Sequence, residues 1–570
     1  MVTHPAAPVL ANQFRGDRVL QTWLSQHIPA NVFAAIEDDL DSIGEHARLA
    51  WTEARLRAAT KPILTRWDAW GNRIDRIEST PTWQRGVEIA ARYGLVSKGY
   101  ESTHGEFARC DQFARVYLHH IASEFFTCPL AMTDGAAAAI KASGNAGLIA
   151  HSLPRLTSTD PETLWLSGQW MTELAGGSDV GNSETEARRD TDGQWRLHGR
   201  KWFSSAPIGE MALTLARPQG AGEGANTLAL FYVETHDAKG QWNGIRVDRL
   251  KEKLGTHELP TAEIHLDGVL ATPVGTLDHG VRMIAPMLNI TRTWNAVCAL
   301  ATMRRCIALA TAYAHQRRAF GRPLIEHPLH VSTLADLQAE FEAAFQLVFH
   351  VAHLLGRSEC DIADDRELAL LRLLIPLAKL WTGKLAVKIA SETCEAFGGA
   401  GYIEDTGIPQ LLRDAQVFPI WEGTTNILAL DSLRAMPGSG QDLLLDCAAN
   451  LIDECKVEDD SCDLEPARQT IHATLASTRQ WLQANGANPT IMQSGARTLA
   501  LTLARSFAAA LLFRNATLAL ARAGDRRPAQ ALARFIALGL SEMRNPDSNP
   551  AIDLLDVPPD WKRASVVTRK

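Results

Sequence analysis

The chain has 570 residues, of which 46% are hydrophobic and 21% charged, as in a globular protein built from roughly three to four domains. Its net charge of −8 gives no global basic field that would indicate nucleic-acid binding. The nine cysteines are scattered and form no CxxC pair, so neither a metal site nor a disulfide framework is expected.

The N-terminal third divides into an arm and a helical domain. Residues 1–40 are predicted to form an irregular arm with apolar anchors such as Phe14 and Trp23. This arm lacks a basic segment followed by an apolar core, so no signal peptide is expected. Residues 41–163 are Ala-rich with helical spacing, as in the segment 45–59, which predicts a helical domain.

The sequence pattern changes at Leu164, where strand-like segments begin to alternate with turn signals as far as about residue 276. Asp192-Gly193 is a strong short-range hairpin signal, and it precedes the strand-like segment 194–206. Residues 164–276 are therefore predicted to form a β domain.

Helical periodicity returns in the region 277–436. The segments 281–316, 333–357 and 364–397 are long enough for an antiparallel bundle with short connections. We therefore predict a mostly α, α+β protein with a helical domain, a central β-barrel or sandwich domain and a four-helix-type bundle.

Residues 437–570 are predicted to form an extra C-terminal helical domain, with an acidic loop at 453–465. Their most apolar stretch, Leu499 to Leu520, is interrupted by Arg505 and Arg514, which favours a buried amphipathic helix over a membrane span. With cysteines that form no disulfide pattern, a cytoplasmic location is expected and no membrane partner.

Glu422 is the strongest candidate catalytic residue. It lies among apolar residues such as Phe418, Ile420 and Trp421 and is followed by Gly-Thr-Thr-Asn. A carboxylate in apolar surroundings loses hydration and becomes a better proton acceptor. The alternative from the residues alone is a chance Glu before a helix capped by Thr424 or Thr425.

Two further segments could bind phosphate or a heterocycle. Gly176 and Gly177, in the segment 167–187, can present backbone N–H groups to a ligand, although a simple turn explains them equally well. The arginines of the segment 317–322 suit bidentate phosphate binding. Their alternative is a solvated helix C-terminus whose cations complement the dipole.

Taken together, these segments resemble the acyl-CoA dehydrogenase flavoprotein family over about residues 80–436. Four motifs occur in the family's order: WMTELAGGSDV, GRKWFSSA, AHQRRAFGRPL and FGGAGY…LLRDAQVFPIWEGTTNI. The whole chain is most similar to the AidB-type branch, the adaptive-response flavoproteins, on ANQFRGD, KWFSSAP and WEGTTN.

The resemblance implies FAD as cofactor and Glu422 as the catalytic base. Ser178 maps to a contact with the pyrophosphate region of FAD or CoA, and Arg292 lies on the helix that contacts CoA. Arg317 maps to a residue that reaches the FAD of a neighbouring subunit. The other implied cofactor contacts are Gln169, Met171, Thr172, Trp202, Phe203, Ser204, Gly423, Thr424 and Asn426.

The implied reaction is removal of the α-proton of an acyl-CoA, or a related small molecule, by Glu422, with transfer of the β-hydride to flavin N5. By analogy with the family, the protein is expected to be a homo-oligomer, a tetramer. The electron acceptor stays undetermined.

The sequence departs from the ordinary family pattern at three positions. Asn289 stands where the family often has an Asp, three residues before the Arg that corresponds to Arg292. Pro328 stands where the family has a Gln. Trp421 places a bulky ring beside the base where Tyr is more common; it either reshapes an acyl channel or packs in the core.

Two other functions remain open. One is an AidB-like, DNA-associated flavoprotein of the alkylation response with little dehydrogenase activity. Residues 441–570 carry 15 Lys and Arg against 15 Asp and Glu, so DNA is not favoured, although the segments 521–535 and 561–570 could form a local basic patch. The other is a degenerate flavin-binding scaffold, against which an intact Glu422 argues.

Overall fold

The computed structural model describes residues 7–54, 60–436, 440–455 and 464–544. The predicted domain boundary at 437–439, most of the acidic loop 453–465 and the basic segment 561–570 lie outside these residues. The order of the elements is helical, β-barrel, helical bundle and a further helical unit.

The N-terminal helical domain begins much earlier in the chain than the sequence indicates. Its elements are α1 Arg18–His27, α2 Ala30–Ala54, β1 Ile63–Trp67, β2 Arg73–Glu78, α3 Pro81–Arg92, α4 Ala108–His120, α5 Thr127–Ser143 and α6 Ala146–Leu156. The prediction of an irregular arm over 1–40 is therefore wrong. Asp17 caps α1 by accepting hydrogen bonds from the N–H groups of Val19 and Leu20. The predicted anchors Phe14 and Trp23 are both buried.

An antiparallel β-hairpin, β1–β2, interrupts the domain that was predicted to be entirely helical. This hairpin was not predicted from the sequence, because its strands are rich in charged residues and show no apolar alternation. The buried carboxylate of Asp75 accepts a hydrogen bond from the backbone N–H of Val247, which joins the hairpin to the following domain.

The central domain is a closed β-barrel. Its strands are β3 Ser167–Trp170, β4 Glu186–Arg189, β5 Trp195–Ser205, β6 Met211–Pro218, β7 Ala229–Glu234, β8 Ile245–Leu250 and β9 Thr261–Pro273. Strands β4, β5, β9, β7 and β6 pair in a ring, while β3 pairs with β6 and β8 with β9. Closure removes most free strand edges and encloses a core of apolar side chains that includes Trp170 and Phe231.

The third unit is a helical bundle that packs against the N-terminal domain. Its elements are α7 Gly280–Met283, α8 Ala285–Gln316, β10 Arg318–Ala319, β11 Arg322–Pro323, α9 Pro328–Glu359, α10 Asp365–Ala396, α11 Ile408–Ala415 and α12 Thr425–Ala435. The three long helices predicted from periodicity are thus α8, α9 and α10. A capping box at Asp364 and Glu367 starts α10.

A buried polar network fastens α8 to the N-terminal domain. The Asp134 carboxylate on α5 accepts hydrogen bonds from Arg109 on α4, at 2.9 Å, and from the Trp294 indole on α8, at 2.7 Å. Arg109 also pairs with Glu359 at the end of α9. Because each buried group has partners, this network fixes how the two helical units meet.

The extra C-terminal unit contains α13 Gly440–Asp453, α14 Leu464–Asn485, α15 Pro489–Ala523 and α16 Arg527–Ala537. It is held to α9 by ion pairs: Arg505 binds Glu340 at 3.0 Å, and Arg527 binds Glu342. Arg534 of α16 likewise pairs with Asp336. Two cations of the predicted basic patch, Arg527 and Arg534, are therefore engaged in packing within the chain.

Two helices, α8 and α15, are long and apolar enough to cross a membrane by length and composition alone. In their most apolar stretches, 78% and 83% of the residues are buried inside the protein, as expected of core helices. Within the described part of the chain, no group of three or more His, Cys, Asp or Glu side chains could hold a metal ion.

Candidate functional site

The segment that carries Glu422 is a non-helical connection between α11 and α12 that lies against α8 and α10. The amide of Asn295 on α8 donates a hydrogen bond to the carbonyl of Phe418. Gly383 on α10 lets the same carbonyl approach closely, because a Cβ there would lie 3.1 Å from its oxygen. Both long helices therefore position the connection.

The Glu422 carboxylate is half-buried and held by one hydroxyl. Thr291 Oγ1 donates to Glu422 Oε2 at 2.6 Å. The backbone of Glu422 has φ +56°, a left-handed conformation that is uncommon for a residue with a Cβ, and Gly423 follows with φ +104°. Such strain is typical of functional turns, where the surroundings maintain a particular side-chain direction.

Arg292 supports the backbone of the base from inside the bundle. Its Nε donates to the Glu422 carbonyl at 3.3 Å, and its guanidinium pairs with Asp431 on α12 at 2.8 Å. Arg372 binds the other oxygen of Asp431 at 2.7 Å. The predicted CoA contact of Arg292 stays a prediction, since these partners turn the guanidinium toward α12.

Aromatic rings form one wall beside the base. Phe125, in the loop between α4 and α5, lies 5.4 Å from the Phe418 ring and 6.2 Å from the Trp421 ring, measured between centroids. Trp421 is partly buried, and its indole N–H has no partner. Trp421 therefore packs near Phe125, one residue before Glu422 in the chain.

Trp202 and Phe203 are displayed by an irregularity in β5. Lys201 faces Ile264 of β9, while Ser204 faces Ala262, so one extra residue is inserted in β5 between these two pairs. Such a bulge re-aims side chains. Phe203 is accordingly 50% exposed, and Trp202 has Lys251 Nζ 3.6 Å from its ring centroid. These rings offer a stacking surface.

The Gly-Gly loop lies against this bulge. The N–H of Trp202 donates to the carbonyl of Thr172 at 2.9 Å. Gly177 is so close to the Thr172 side chain that a Cβ would lie 2.7 Å from its hydroxyl oxygen. The loop's two glycines thus permit a close turn, which brings Thr172 next to Trp202 in β5.

A buried ion pair between Lys201 and Glu173 anchors the Gly-Gly loop. Lys201 Nζ binds Glu173 Oε1 at 2.7 Å and the Leu215 carbonyl at 2.9 Å. Burial opposes ionisation of Glu173, but Lys201 and the hydrogen bonds from Thr185 and the Glu184 N–H outweigh it, so its pKa lies below the ordinary value. Burial lowers the pKa of Lys201.

These residues fit a flavin. Two side chains of the predicted contact set, Gln169 and Ser204, each have a buried oxygen with no partner in the protein. Buried polar atoms without partners are rare and call for a ligand or water. With exposed Phe203 beside them, they supply hydrogen-bonding groups and a ring surface of the kind that FAD requires.

Cys128 interacts with groups from both the β5 strand and the segment that carries Glu422. Burial raises the pKa of its thiol to about 12; Lys253 and a hydrogen bond to Ser205 lower it, and Glu422 raises it. Cys128 therefore lies within electrostatic reach of both Glu422 and the end of β5.

Two buried carboxylates, Glu258 and Asp414, lie near Lys253, which also interacts with Cys128. Burial, with the neighbouring Asp414, raises the pKa of Glu258 to about 7. Burial also raises the pKa of Asp414 to about 6, although its carboxylate accepts a 2.6 Å hydrogen bond from the Thr256 N–H. One oxygen of Glu258 has no partner, while the other accepts from Gln410 at 3.1 Å.

The remaining predicted contacts lie at the surface of the chain. Ser178, Thr424 and Asn426 are exposed, and Gly423 and Met171 are partly buried. Met171 and Ser178 belong to the segment of the Gly-Gly loop, and the other three residues lie at the start of α12.

Arg317 is exposed where α8 ends, three residues before Phe320, which is 97% exposed. Its predicted partner is the FAD of another subunit.

Sequence reasoning missed Thr291, Lys201 and Lys379. Thr291 had no signal, because its partner is 131 residues away. The two lysines had only a weak one, because other cations lie in the same strand and helix, yet Lys201 and Lys379 are 0% and 1% exposed. A cation at a core position calls for a buried partner.

The four parts of the chain match four family profiles. Residues 5–162 match the adaptive response protein AidB N-terminal domain, and residues 168–269 match the acyl-CoA dehydrogenase middle domain. Residues 278–436 match the acyl-CoA dehydrogenase C-terminal domain, and residues 450–547 match the acyl-CoA dehydrogenase 11 C-terminal domain-like family.

Full-length relatives agree with these matches. Acyl-CoA dehydrogenase family member 11 of Caenorhabditis elegans is 40% identical over 526 residues, which cover 90% of this chain and 85% of that protein. The putative acyl-CoA dehydrogenase AidB of Escherichia coli is 33% identical over 409 residues, covering 70% and 74%. The crystal structure of C. elegans ACDH-11 in complex with C11-CoA has a TM-score of 0.90 at 37% identity, covering 95% of this chain and 94% of that one.

Proposed function

The chain belongs to the acyl-CoA dehydrogenase family of FAD-dependent oxidoreductases, with an AidB-type N-terminal domain, and we propose that Glu422 removes the α-proton of its acyl-CoA substrate. One observation carries this proposal: the Glu422 carboxylate is held at 2.6 Å by Thr291 in a strained turn.

The residues of the site have different roles in the proposed reaction. Glu422 accepts the proton, and Thr291 keeps one oxygen of its carboxylate in place. Thr172, Trp202 and Phe203 orient the cofactor, and bound FAD supplies the hydride acceptor. Apolar Phe125, Phe418 and Trp421 exclude water from the base, which strengthens its electrostatic interactions.

We propose a straight acyl-CoA of medium length as the first substrate to examine. The C. elegans structure with C11-CoA supports this choice, since it covers almost the whole chain. The aromatic wall formed by Phe125 and Trp421 is apolar, as an acyl chain requires. Trp421 should limit bulk close to the base, so α-branched acyl groups should react more slowly.

We also propose a homotetramer in the cytoplasm. Phe320 and Tyr402 are 97% and 92% exposed, which supports burial against another subunit. The eight cysteines in the described residues are all free thiols, in keeping with a reducing compartment. Sedimentation of the FAD-loaded protein tests the subunit number: a monomer at micromolar concentration would contradict the tetramer.

The decisive experiment is anaerobic bleaching of the flavin with a panel of acyl-CoAs. Wild-type protein should bleach, and Glu422→Gln should bleach at least about 100-fold more slowly at unchanged FAD content, because it lacks the general base. Bleaching of Glu422→Gln at the wild-type rate would contradict the assignment of the base. A wild-type flavin that no acyl-CoA bleaches would contradict the proposed activity.

A further inference from the structure

Three successive backbone carbonyls around the base are bound by two buried cations. Lys379 Nζ donates to the carbonyl of Trp421 at 2.6 Å and to that of Gly423 at 2.6 Å. Between them, the Glu422 carbonyl accepts from Arg292 Nε at 3.3 Å. The peptide groups on both sides of the base are thus fixed by one ammonium group.

The backbone needs this support because two positive φ angles occur in succession, +56° at Glu422 and +104° at Gly423. A residue with a Cβ seldom adopts the left-handed conformation without external contacts that hold it there. This turn lies outside α11 and α12, so its carbonyls have no helical partners. Lys379 supplies the donors that a helix would otherwise provide.

Burying Lys379 at its position costs free energy, because its ammonium group loses hydration. Its side chain is buried within α10, and burial lowers the pKa of its ammonium group to about 7; Glu422 opposes the shift, and Arg292 adds to it. An apolar side chain would fill the same volume without a desolvation penalty. Gly383, one turn further along α10, brings the helix close to the same connection. The geometry therefore favours a specific task for the lysine.

We propose that Lys379 is a positioning residue for the base: by binding the carbonyls of Trp421 and Gly423 together, it holds the turn that aims the Glu422 carboxylate at the substrate. Lys379 itself touches neither substrate nor cofactor. This inference rests on the proposed function, because it presupposes that Glu422 abstracts the proton.

The test compares Lys379→Met and Lys379→Gln with Lys384→Met, an exposed lysine on the same helix. Each FAD-loaded variant is mixed anaerobically with an acyl-CoA that bleaches the wild type. The limiting rate of flavin reduction, the acyl-CoA concentration at half-saturation and the isotope effect of α-deuterated substrate are measured.

In Lys379→Met, the limiting rate should fall about 100-fold, as expected for a base displaced by about 1 Å. The half-saturating concentration should change less than about 3-fold, and the isotope effect should rise because proton abstraction becomes slower. Lys379→Gln keeps an amide donor that can reach one carbonyl, so it should be intermediate. Lys384→Met should match the wild type.

A wild-type limiting rate and isotope effect in Lys379→Met would overturn the inference, as would a change confined to half-saturation. If Lys379→Met does not fold, Lys379→Gln decides between the same outcomes. A wild-type flavin that no acyl-CoA bleaches would instead contradict the proposed function, so the two failures are distinguishable.

Discussion

Thr291 and Glu422 are 131 residues apart in the sequence, yet the Thr291 hydroxyl lies 2.6 Å from Oε2 of Glu422. Gly135 makes this possible, because a Cβ there would lie 2.7 Å from Met287 and 3.2 Å from the Thr291 methyl group. Close packing of α5 on α8 therefore sets the position of the hydroxyl that holds the base.

Thr291→Val should slow flavin reduction by acyl-CoA about 10-fold, because a less well-held base accepts the proton more slowly. The substitution keeps the shape of the side chain but removes the hydroxyl that holds the Glu422 carboxylate in place. Stopped-flow reduction measures the rate. Thr293→Val, which removes a hydroxyl bonded to the Asn289 carbonyl on the same helix, should leave the rate unchanged.

Lys201→Met should destabilise the barrel by about 3–5 kcal/mol, because it leaves the Glu173 carboxylate buried without its cation. The loop that Glu173 anchors should then bind FAD more weakly. Thermal unfolding and release of flavin fluorescence measure the two effects. The exposed Lys239→Met is the control, and equal stability of the two variants would show that the buried pair is dispensable.

Glu258→Gln should stabilise the protein at pH 8 but not at pH 4. Glu258 has a pKa of about 7 in the folded state against an ordinary value of 4.5, so its stabilising contribution is complete below about 4.5 and is lost as the pH rises to 7. A glutamine cannot ionise, so the gain above pH 7 should be about 1–3 kcal/mol. Urea unfolding of Glu258→Gln and of the exposed control Glu223→Gln across this range tests the sign.

Arg505→Met should loosen the extra C-terminal unit. Arg505 binds Glu340 on α9 at 3.0 Å and the Gly539 carbonyl at 2.6 Å, and its side chain is 7% exposed. Its removal leaves Glu340 with Lys388 as its remaining cation, at a cost of about 2–4 kcal/mol. Limited proteolysis should cut this unit sooner in Arg505→Met than in Arg497→Met, an exposed change on the same helix.

The elements that sequence reasoning located correctly are those with strong local patterns. Helices α8, α9 and α10 are long and rich in apolar residues, and the strands around Asp192-Gly193 alternate with turns. The N-terminal arm was misjudged because α1 is short and the first half of α2 contains the acidic run 37–39, while the hairpin β1–β2 is rich in charge. Those elements are stabilised by contacts with other domains, which leave little trace in a local window.

By itself, the sequence determined the family and the need for FAD and predicted Glu422 as the base, because WEGTTN and the flavin-loop motifs are contiguous and chemically specific. Only the tertiary structure decided what holds that base. Thr291, Arg292 and Lys379 come from two helices that are distant from Glu422 in the chain, and their hydrogen bonds depend on how α8 and α10 pack. Local patterns cannot encode such distances, since they are set by side-chain volumes across a buried interface.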